Sequence, residues 1–190
     1  MRKIIFSIPI TLDGFIEGPN RELDWVIPDD ELHDFYTQLL QSADLLIYGR
    51  VAYELMVSYW PTANSDPNAT ESMKRFASAL NPLRKIVFST TMKQAGWNTQ
   101  VMRTFSPDEI QRLKTQPGKD ILLSGGATIA QVFFKHGLVD EYLPVVQPVA
   151  IGEGKALFAG LPEMLKLDFQ WNRRFSSGAV ALCYRTNGRS

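Results

Sequence analysis

Apolar residues fall along this chain in short blocks of two alternating kinds. Ile4 to Ile10 is a mostly apolar run with β-branched residues, ended by Asp13-Gly14, and it reads as a buried first strand. Pro28 to Ser42 instead repeats Leu32, Phe35, Tyr36, Leu39 and Leu40 at three- and four-residue spacing, with Asp29, Asp30 and Glu31 in the first turn. That pattern predicts a helix with one apolar face. Leu45 to Tyr48 predicts a second strand, stopped by Gly49-Arg50 before a helix through Val51 to Met56. A polar loop from Trp60 to Asn68 precedes a modest helix over Glu71 to Leu80, and Lys85 to Phe88 predicts a third strand. Ser106-Pro107-Asp108-Glu109 then opens a helix, with a serine cap, proline at the first position and an acid at the capping-box position, and Gln116-Pro117-Gly118 closes it.

From Asp120 the chain runs through an apolar strand into Ser124-Gly125-Gly126 and then a helix over Ala127 to Lys135. Val139 to Val149 is extended but broken by Pro144 and Pro148, which argues for an edge or bulged strand. Leu143 to Ile151 reads equally as a dimer edge or an internal strand. Phe169 to Phe175 and Ala179 to Thr186 frame Ser176-Ser177-Gly178 as a terminal hairpin. Strands alternating with helices imply parallel pairing, and the short final turn adds an antiparallel pair. The expected architecture is α/β: one mixed, mostly parallel sheet flanked by helices, with a C-terminal antiparallel hairpin, in a single domain over 1–190.

Bulk properties narrow the functional classes. Hydrophobic residues at 45% and charged residues at 21% suit a compact globular chain. Lysine plus arginine equals aspartate plus glutamate at 20 each, so no global field draws the protein onto nucleic acid or an anionic membrane. Cys183 is the only cysteine, which rules out an intrachain disulfide, a multi-cysteine zinc site and a Cys-x-x-Cys redox pair; no metal site is expected and a reducing cytoplasm fits best. The apolar run after Met1-Arg2-Lys3 is broken by Pro9, Thr11 and Asp13 before reaching a signal or spanning length, so no export is expected.

Candidate chemistry gathers at three predicted strand ends, where an open α/β sheet binds ligands: Gly49-Arg50, Ser89-Thr90 and Ser124-Gly125-Gly126. Without side chains at Gly125 and Gly126 a ligand can reach the backbone, and the first N–H groups of the next helix favour an anion, with a nucleotide as the natural candidate. The same glycines also serve simply to let a strand and a helix pack closely, and Ser89 and Thr90 also read as ordinary turn residues. Arg50 puts a cation at the positive end of a helix dipole, which is poor for the helix and suits an anion facing it. Neither Gly-x-Gly-x-x-Gly nor Gly-x-x-x-x-Gly-Lys-Ser/Thr is present, so another nucleotide fold is required.

Four stretches in order carry a resemblance: Thr11-Leu12-Asp13-Gly14-Phe15-Ile16; Gly49-Arg50-Val51-Ala52-Tyr53-Glu54; Ser124-Gly125-Gly126-Ala127; and Gly137-Leu138-Val139-Asp140-Glu141 continuing to Pro148 and Gly152-Glu153-Gly154-Lys155-Ala156-Leu157-Phe158. The chain resembles the dihydrofolate reductase-like superfamily, in the branch similar to the reductase domain of the bacterial riboflavin-pathway deaminase-reductase. The resemblance implies a three-layer NADPH-binding reductase fold, commonly dimeric, that passes a hydride to a small molecule with an electron-poor double bond or masked carbonyl. By motif, Gly49 and Arg50 would meet the pyrophosphate, and Ser89 and Thr90 the adenosine ribose and its phosphate. Gly125, Gly126, Ala127 and Thr128 would meet the diphosphate and nicotinamide side, with Ile16 and the backbone from Pro9 to Thr11 bordering the nicotinamide.

The catalytic acid is less defined. Asp13 either orients substrate or makes an Asp-Gly turn. Asp30 holds a place similar to that of the catalytic carboxylate of dihydrofolate reductases, yet it is also an ordinary first-turn acid. Trp25 reads as a pocket roof or as packing. His33 reads as an exposed helix residue, His136 as a helix C-terminal residue and Cys183 as a buried inert thiol. The deaminase pattern of His-x-Glu and Pro-Cys-x-x-Cys is absent, which excludes deamination. No basic cluster marks a place for a substrate phosphate. From a different class, a nucleotide-binding or sensor protein without turnover would use the same strand ends.

Overall fold

The computed structural model describes residues 1–186; the expected domain span of 1–190 ends in residues 187–190, which lie outside the described residues. The first strand, β1, is Ile4–Ile10. The helix α1 is Asp30–Gln41, two residues later than Pro28 predicts. Asp29 is its cap: with extended backbone, its carboxylate accepts the Leu32 N–H at 2.6 Å, a stronger closure of the helix start than a proline that merely lacks a donor. Then follow β2 (Ala43–Gly49), α2 (Arg50–Val57), a 3-10 turn at Ala63–Ser65 inside the expected loop, and α3 (Glu71–Leu80). The rest is β3 (Arg84–Phe88), β4 (Thr99–Met102), α4 (Pro107–Thr115), β5 (Asp120–Leu123), α5 (Ala127–Lys135), β6 (Glu141–Val146), β7 (Leu167–Arg174) and β8 (Val180–Thr186).

These strands form one eight-stranded sheet in the order β4-β3-β2-β5-β1-β6-β8-β7. Every neighbouring pair from β4 to β6 is parallel, and β8 and β7 add as the antiparallel hairpin. Pro144 does not mark an edge, and Pro148 lies past the end of β6. Pro144 lies inside the sheet, opposite Ile8 of β1, and the ladder to β8 pairs Glu141, Tyr142, Val145 and Val146 while skipping Leu143 and Pro144. The missing N–H is tolerated by interrupting one ladder rather than by leaving the sheet. It also follows that Leu143 to Val146 are covered on both sides and offer no dimer edge. β4 escapes the sequence pattern because it is four residues long and follows Trp97 and Asn98, which turn the chain with positive φ of 58° and 54°.

Two apolar layers cover the sheet. One joins Phe6, Ile121, Phe133, Phe134 and Tyr142 under α4 and α5; the other joins Leu32, Phe35, Leu46, Tyr48 and Phe76 under α1 and α3. Burial of this surface is the main drive for the fold. The α1–α3 contact adds an ion pair of Arg75 with Asp34 at 2.7 Å, and His33 meets Phe76 of α3 and Trp60 of the preceding loop at ring distances of 6.1 Å, tilted and edge-on. His33 is therefore half-buried rather than exposed, and burial lowers its pKa. Cys183 is buried, and burial pushes its thiol up to about 11. Among the described residues no helix is long and apolar enough to cross a membrane.

Lys85 of β3 is fully buried, with Nζ 3.0, 3.3 and 2.7 Å from the carbonyls of Leu80, Asn81 and Leu83 and 4.1 Å from the Trp97 ring centre. These acceptors sit at the C-terminus of α3, where a cation is favourable. Burial still dominates and pulls the pKa from 10.5 down to about 8. A lowered folded-state pKa means that the unfolded chain binds more protons between those values, so this residue makes stability rise with pH from about 8 to 10, by at most about 1.4 kcal/mol per unit. Urea denaturation from pH 7 to 10 is expected to show that rise in the wild type and a flatter curve in Lys85→Met.

Candidate functional site

Because β4, β3, β2, β5, β1 and β6 point the same way, their carboxyl ends share one edge of the sheet, and β2 and β5 are direct neighbours there. Their exits touch. A Cβ on Gly126 would come 3.7 Å from Gly49 Cα, and one on Gly125 would come 3.0 Å from Ala52 Cβ in α2. Gly125 and Gly126 also have φ of +93° and +86°, a region that side chains disfavour. Close approach and turn geometry both select glycine at Gly125, while at Gly126 the positive φ alone does, and the starts of α2 and α5 lie side by side.

Those two starts differ chemically from the other helices. α1, α3 and α4 are capped by the side chains of Asp29, Thr70 and Ser106, and each carries an acid in its first turn. α2 and α5 have glycine at the cap, no capping side chain and no acid in the first turn. Helix N-termini left in this state present N–H groups and positive dipole ends to an anion.

The predicted binding residues gather unevenly around this point. Ser124, Gly125 and Gly126 are half-buried, Ala127 is buried and Thr128 is exposed. Arg50 is exposed on α2, and its Nη1 lies 3.0 and 2.9 Å from the two carboxylate oxygens of Glu54, so the cation that is unfavourable for the dipole is compensated one turn along its own helix. Ser89 is buried, and its Oγ accepts the N–H groups of Thr91 at 3.3 Å and Met92 at 3.0 Å, closing its own turn. Thr90 is exposed beside it. Ile16 is 5% exposed and packs in the core, with its N–H on the Lys155 carbonyl at 3.0 Å.

Both predicted acids hold structure. Asp13 accepts the Thr11 hydroxyl on one carboxylate oxygen, and on the other the N–H groups of Ile151 at 3.1 Å and Gly152 at 2.8 Å. These bonds, the Thr11 hydroxyl first, hold its pKa below the usual carboxylate range. Asp13 therefore ties the loop after β1 to the loop after β6, beside backbone bonds from Leu12 to Val149 at 2.7 Å and from Leu157 to Gly14 at 3.0 Å. Asp30 accepts the hydroxyls of Thr70, the cap of α3, and of Ser72 in its first turn, and its pKa is lowered by Ser72 first. Trp25 is buried, with its indole N–H on the Glu22 carbonyl at 3.1 Å.

Two cations of the site escape a reading by strand ends. Arg103, just past β4, donates to the Thr90 carbonyl at 3.4 Å. Lys155 places Nζ 3.2 Å from Thr128 Oγ1 and 3.6 Å from Glu17. Arg103 follows a strand too short to announce itself. Lys155 was visible in the Gly-Glu-Gly-Lys stretch, but only the fold brings it to the first turn of α5.

A family model described as RibD C-terminal domain matches residues 2–181. The uncharacterized protein YyaP of Bacillus subtilis (strain 168) is 37% identical over 98% of this chain and 96% of its own length. Among solved structures, the diaminohydroxyphosphoribosylaminopyrimidine deaminase/5-amino-6-(5-phosphoribosylamino)uracil reductase of Thermotoga maritima aligns with a TM-score of 0.67 at 16% identity, over 97% of this chain and 56% of that one. Dihydrofolate reductase from Enterococcus faecalis, complexed with NADP(H), aligns with a TM-score of 0.65 at 15% identity, over 97% and 96%. At these identities the two structures establish a dihydrofolate reductase-like fold.

If Asp13 acts as a tie between loops, Asp13→Asn is expected to raise amide exchange and protease cleavage at residues 149–157 while leaving the exchange of β1 and β5 unchanged. Hydrogen exchange read by mass spectrometry checks this; unchanged exchange in that loop would exclude the tie.

Proposed function

The chain belongs to the RibD C-terminal domain family, and from that membership we propose that it is an NADPH-dependent reductase of a small heterocyclic substrate, similar to the riboflavin-pathway ribosylaminouracil phosphate reductase or to dihydrofolate reductase. One observation carries the reading: the adjoining starts of α2 and α5, alone among the α-helices of the described residues, have neither a capping side chain nor a first-turn acid. Such a pair suits a pyrophosphate. When bound, NADPH supplies the hydride. The chain's own residues bind and orient: Gly49, Gly125, Gly126 and Ala127 offer backbone N–H groups, Arg50 offers a cation by releasing Glu54, and Ser124 and Thr128 flank the turn. Ser89 and Thr90 take the adenosine end, with Arg103 as partner for its phosphate. Ile16 acts from beneath, holding the backbone of the loop after β1 against the nicotinamide side. Asp13 serves by fixing the loops that border the substrate, and Asp30 by joining α1 to α3.

A second reading, a nucleotide-binding or sensor protein without turnover, is favoured by the engagement of both Asp13 and Asp30 in internal bonds. We propose that the chain works in the cytoplasm as one domain and as a homodimer. The dimer contact we favour is β7, an edge strand exposed almost throughout, with Phe169 and Trp171 at 54% and 42% exposure.

Titration with NADPH and NADH, followed by tryptophan quenching and energy transfer, is expected to show saturable binding that prefers NADPH. Arg50→Ala should weaken it about tenfold, the worth of a charged hydrogen bond, and Gly125→Asp should abolish it. No binding of either nucleotide would sink both readings; binding with no NADPH oxidation across a panel of heterocyclic substrates would favour the second. Sedimentation of Trp171→Glu is expected to show monomer where the wild type shows dimer.

A further inference from the structure

Beneath the glycine turn, enclosed by α1, α2 and α3 over β1, β5 and β2, lies a cavity of about 40 Å³. Its walls are apolar except for four hydroxyl-bearing side chains, Ser7, Tyr36, Tyr48 and Ser124, and no carboxylate, guanidinium or ammonium lines it. Ser124 immediately precedes Gly125, so the cavity adjoins the turn assigned above to the cofactor. The Tyr36 hydroxyl is buried and has no well-formed hydrogen bond within the protein, only a loose contact with the Ser7 hydroxyl. It faces Ser7, whose Oγ donates to the Leu143 carbonyl at 3.1 Å. Tyr48 lies against Ser124.

A buried hydroxyl without a partner is costly, so its retention in a polar recess points to a guest that completes it. Burial pushes the pKa of Tyr36 and Tyr48 well up, which keeps both as neutral donors and disfavours a tyrosinate. An anion in this recess would be desolvated with no countercharge, whereas hydroxyls both donate and accept and so match a neutral polar group. The volume suits roughly two or three waters, or the polar edge of a ring, and not a whole ring.

We propose that this recess takes the neutral carbonyl, amide or imine edge of the substrate, with Tyr36 donating a hydrogen bond to its heteroatom; the word substrate here rests on the reductase reading. If NADPH binds as proposed, it would supply a hydride, with its two electrons, to the carbon of the C=O or C=N bond and be oxidised to NADP⁺. The heteroatom takes the electron pair of the broken π bond and then a proton from water. Tyr36 keeps its own proton and stabilises the developing negative charge. Any phosphate on the substrate lies outside the recess.

The test is calorimetric titration of the wild type, Tyr36→Phe, Ser7→Ala and Ser124→Ala with 2-pyridone, a neutral ring carbonyl, and with benzoate, an anion of similar size. Saturable 2-pyridone binding that weakens about tenfold or more in Tyr36→Phe and in at least one serine variant, with no benzoate binding at the same concentrations, supports the assignment. Tyr36→Phe is also expected to melt close to the wild type, because it loses no well-formed internal hydrogen bond. No 2-pyridone binding by the folded wild type, equal binding by Tyr36→Phe, or equal binding of benzoate overturns the proposal; should Tyr36→Phe not fold, the serine variants decide alone. NADPH is titrated separately. Pyridone binding without NADPH binding would sink the reductase reading and leave the neutral-carbonyl recess standing.

Discussion

The contact between the exits of β2 and β5 governs the functional edge of this protein. Gly49 and Gly126 approach backbone to backbone, and Ala52 stands where a side chain on Gly125 would have to go. The bare position at Gly125 lets α2 and α5 start this close together, and with no capping side chain or first-turn acid their first N–H groups have no side-chain cap. The other three α-helices are closed in the ordinary way. One constraint, the tight strand-to-helix turn at Gly125, serves the packing of two strand–helix units and leaves the helix starts open in the way the proposed anion site requires.

Much of this was legible because period and punctuation agree. Ile4–Ile10, Glu71–Leu80 and Ala127–Lys135 span the predicted residues, since each is bounded by a residue with one dominant local preference. Pro144 shows why local rules fail: its missing donor argues for an edge, but the sheet holds it inside by leaving two residues of the β8 ladder unpaired. α1 shows competition among starts, where three acids in sequence outrank a proline and the carboxylate with the better reach takes the cap. The Asp29 outcome was a matter of backbone geometry, to which composition is blind.

The candidate site divides along the same line. Its glycines announce themselves, because glycine is informative wherever side chains are forbidden. The acids do not, because the position of a carboxylate in sequence says nothing of which partner it finds. Asp30 found two hydroxyls of α3 and Asp13 found two amides of a loop more than a hundred residues away. Arg103, Lys155 and the hydroxyls of Ser7, Tyr36, Tyr48 and Ser124 converge from separate elements, and no local pattern could have joined them.

The gap at Pro144 has a mechanical meaning. It leaves the β7–β8 hairpin attached to the six parallel strands by two short groups of rungs, Glu141–Tyr142 at one end and Val145–Val146 at the other. A sheet with such a perforation tears there first. The parallel part, with its two apolar covers, forms the durable plate, while the hairpin is a flap on a scored line, held to α1 by Phe175 and Trp171 against Phe35 and by the Ser176 N–H on Glu31. Whatever pulls on the outer strand is thus felt at α1 before it is felt at the glycine turn.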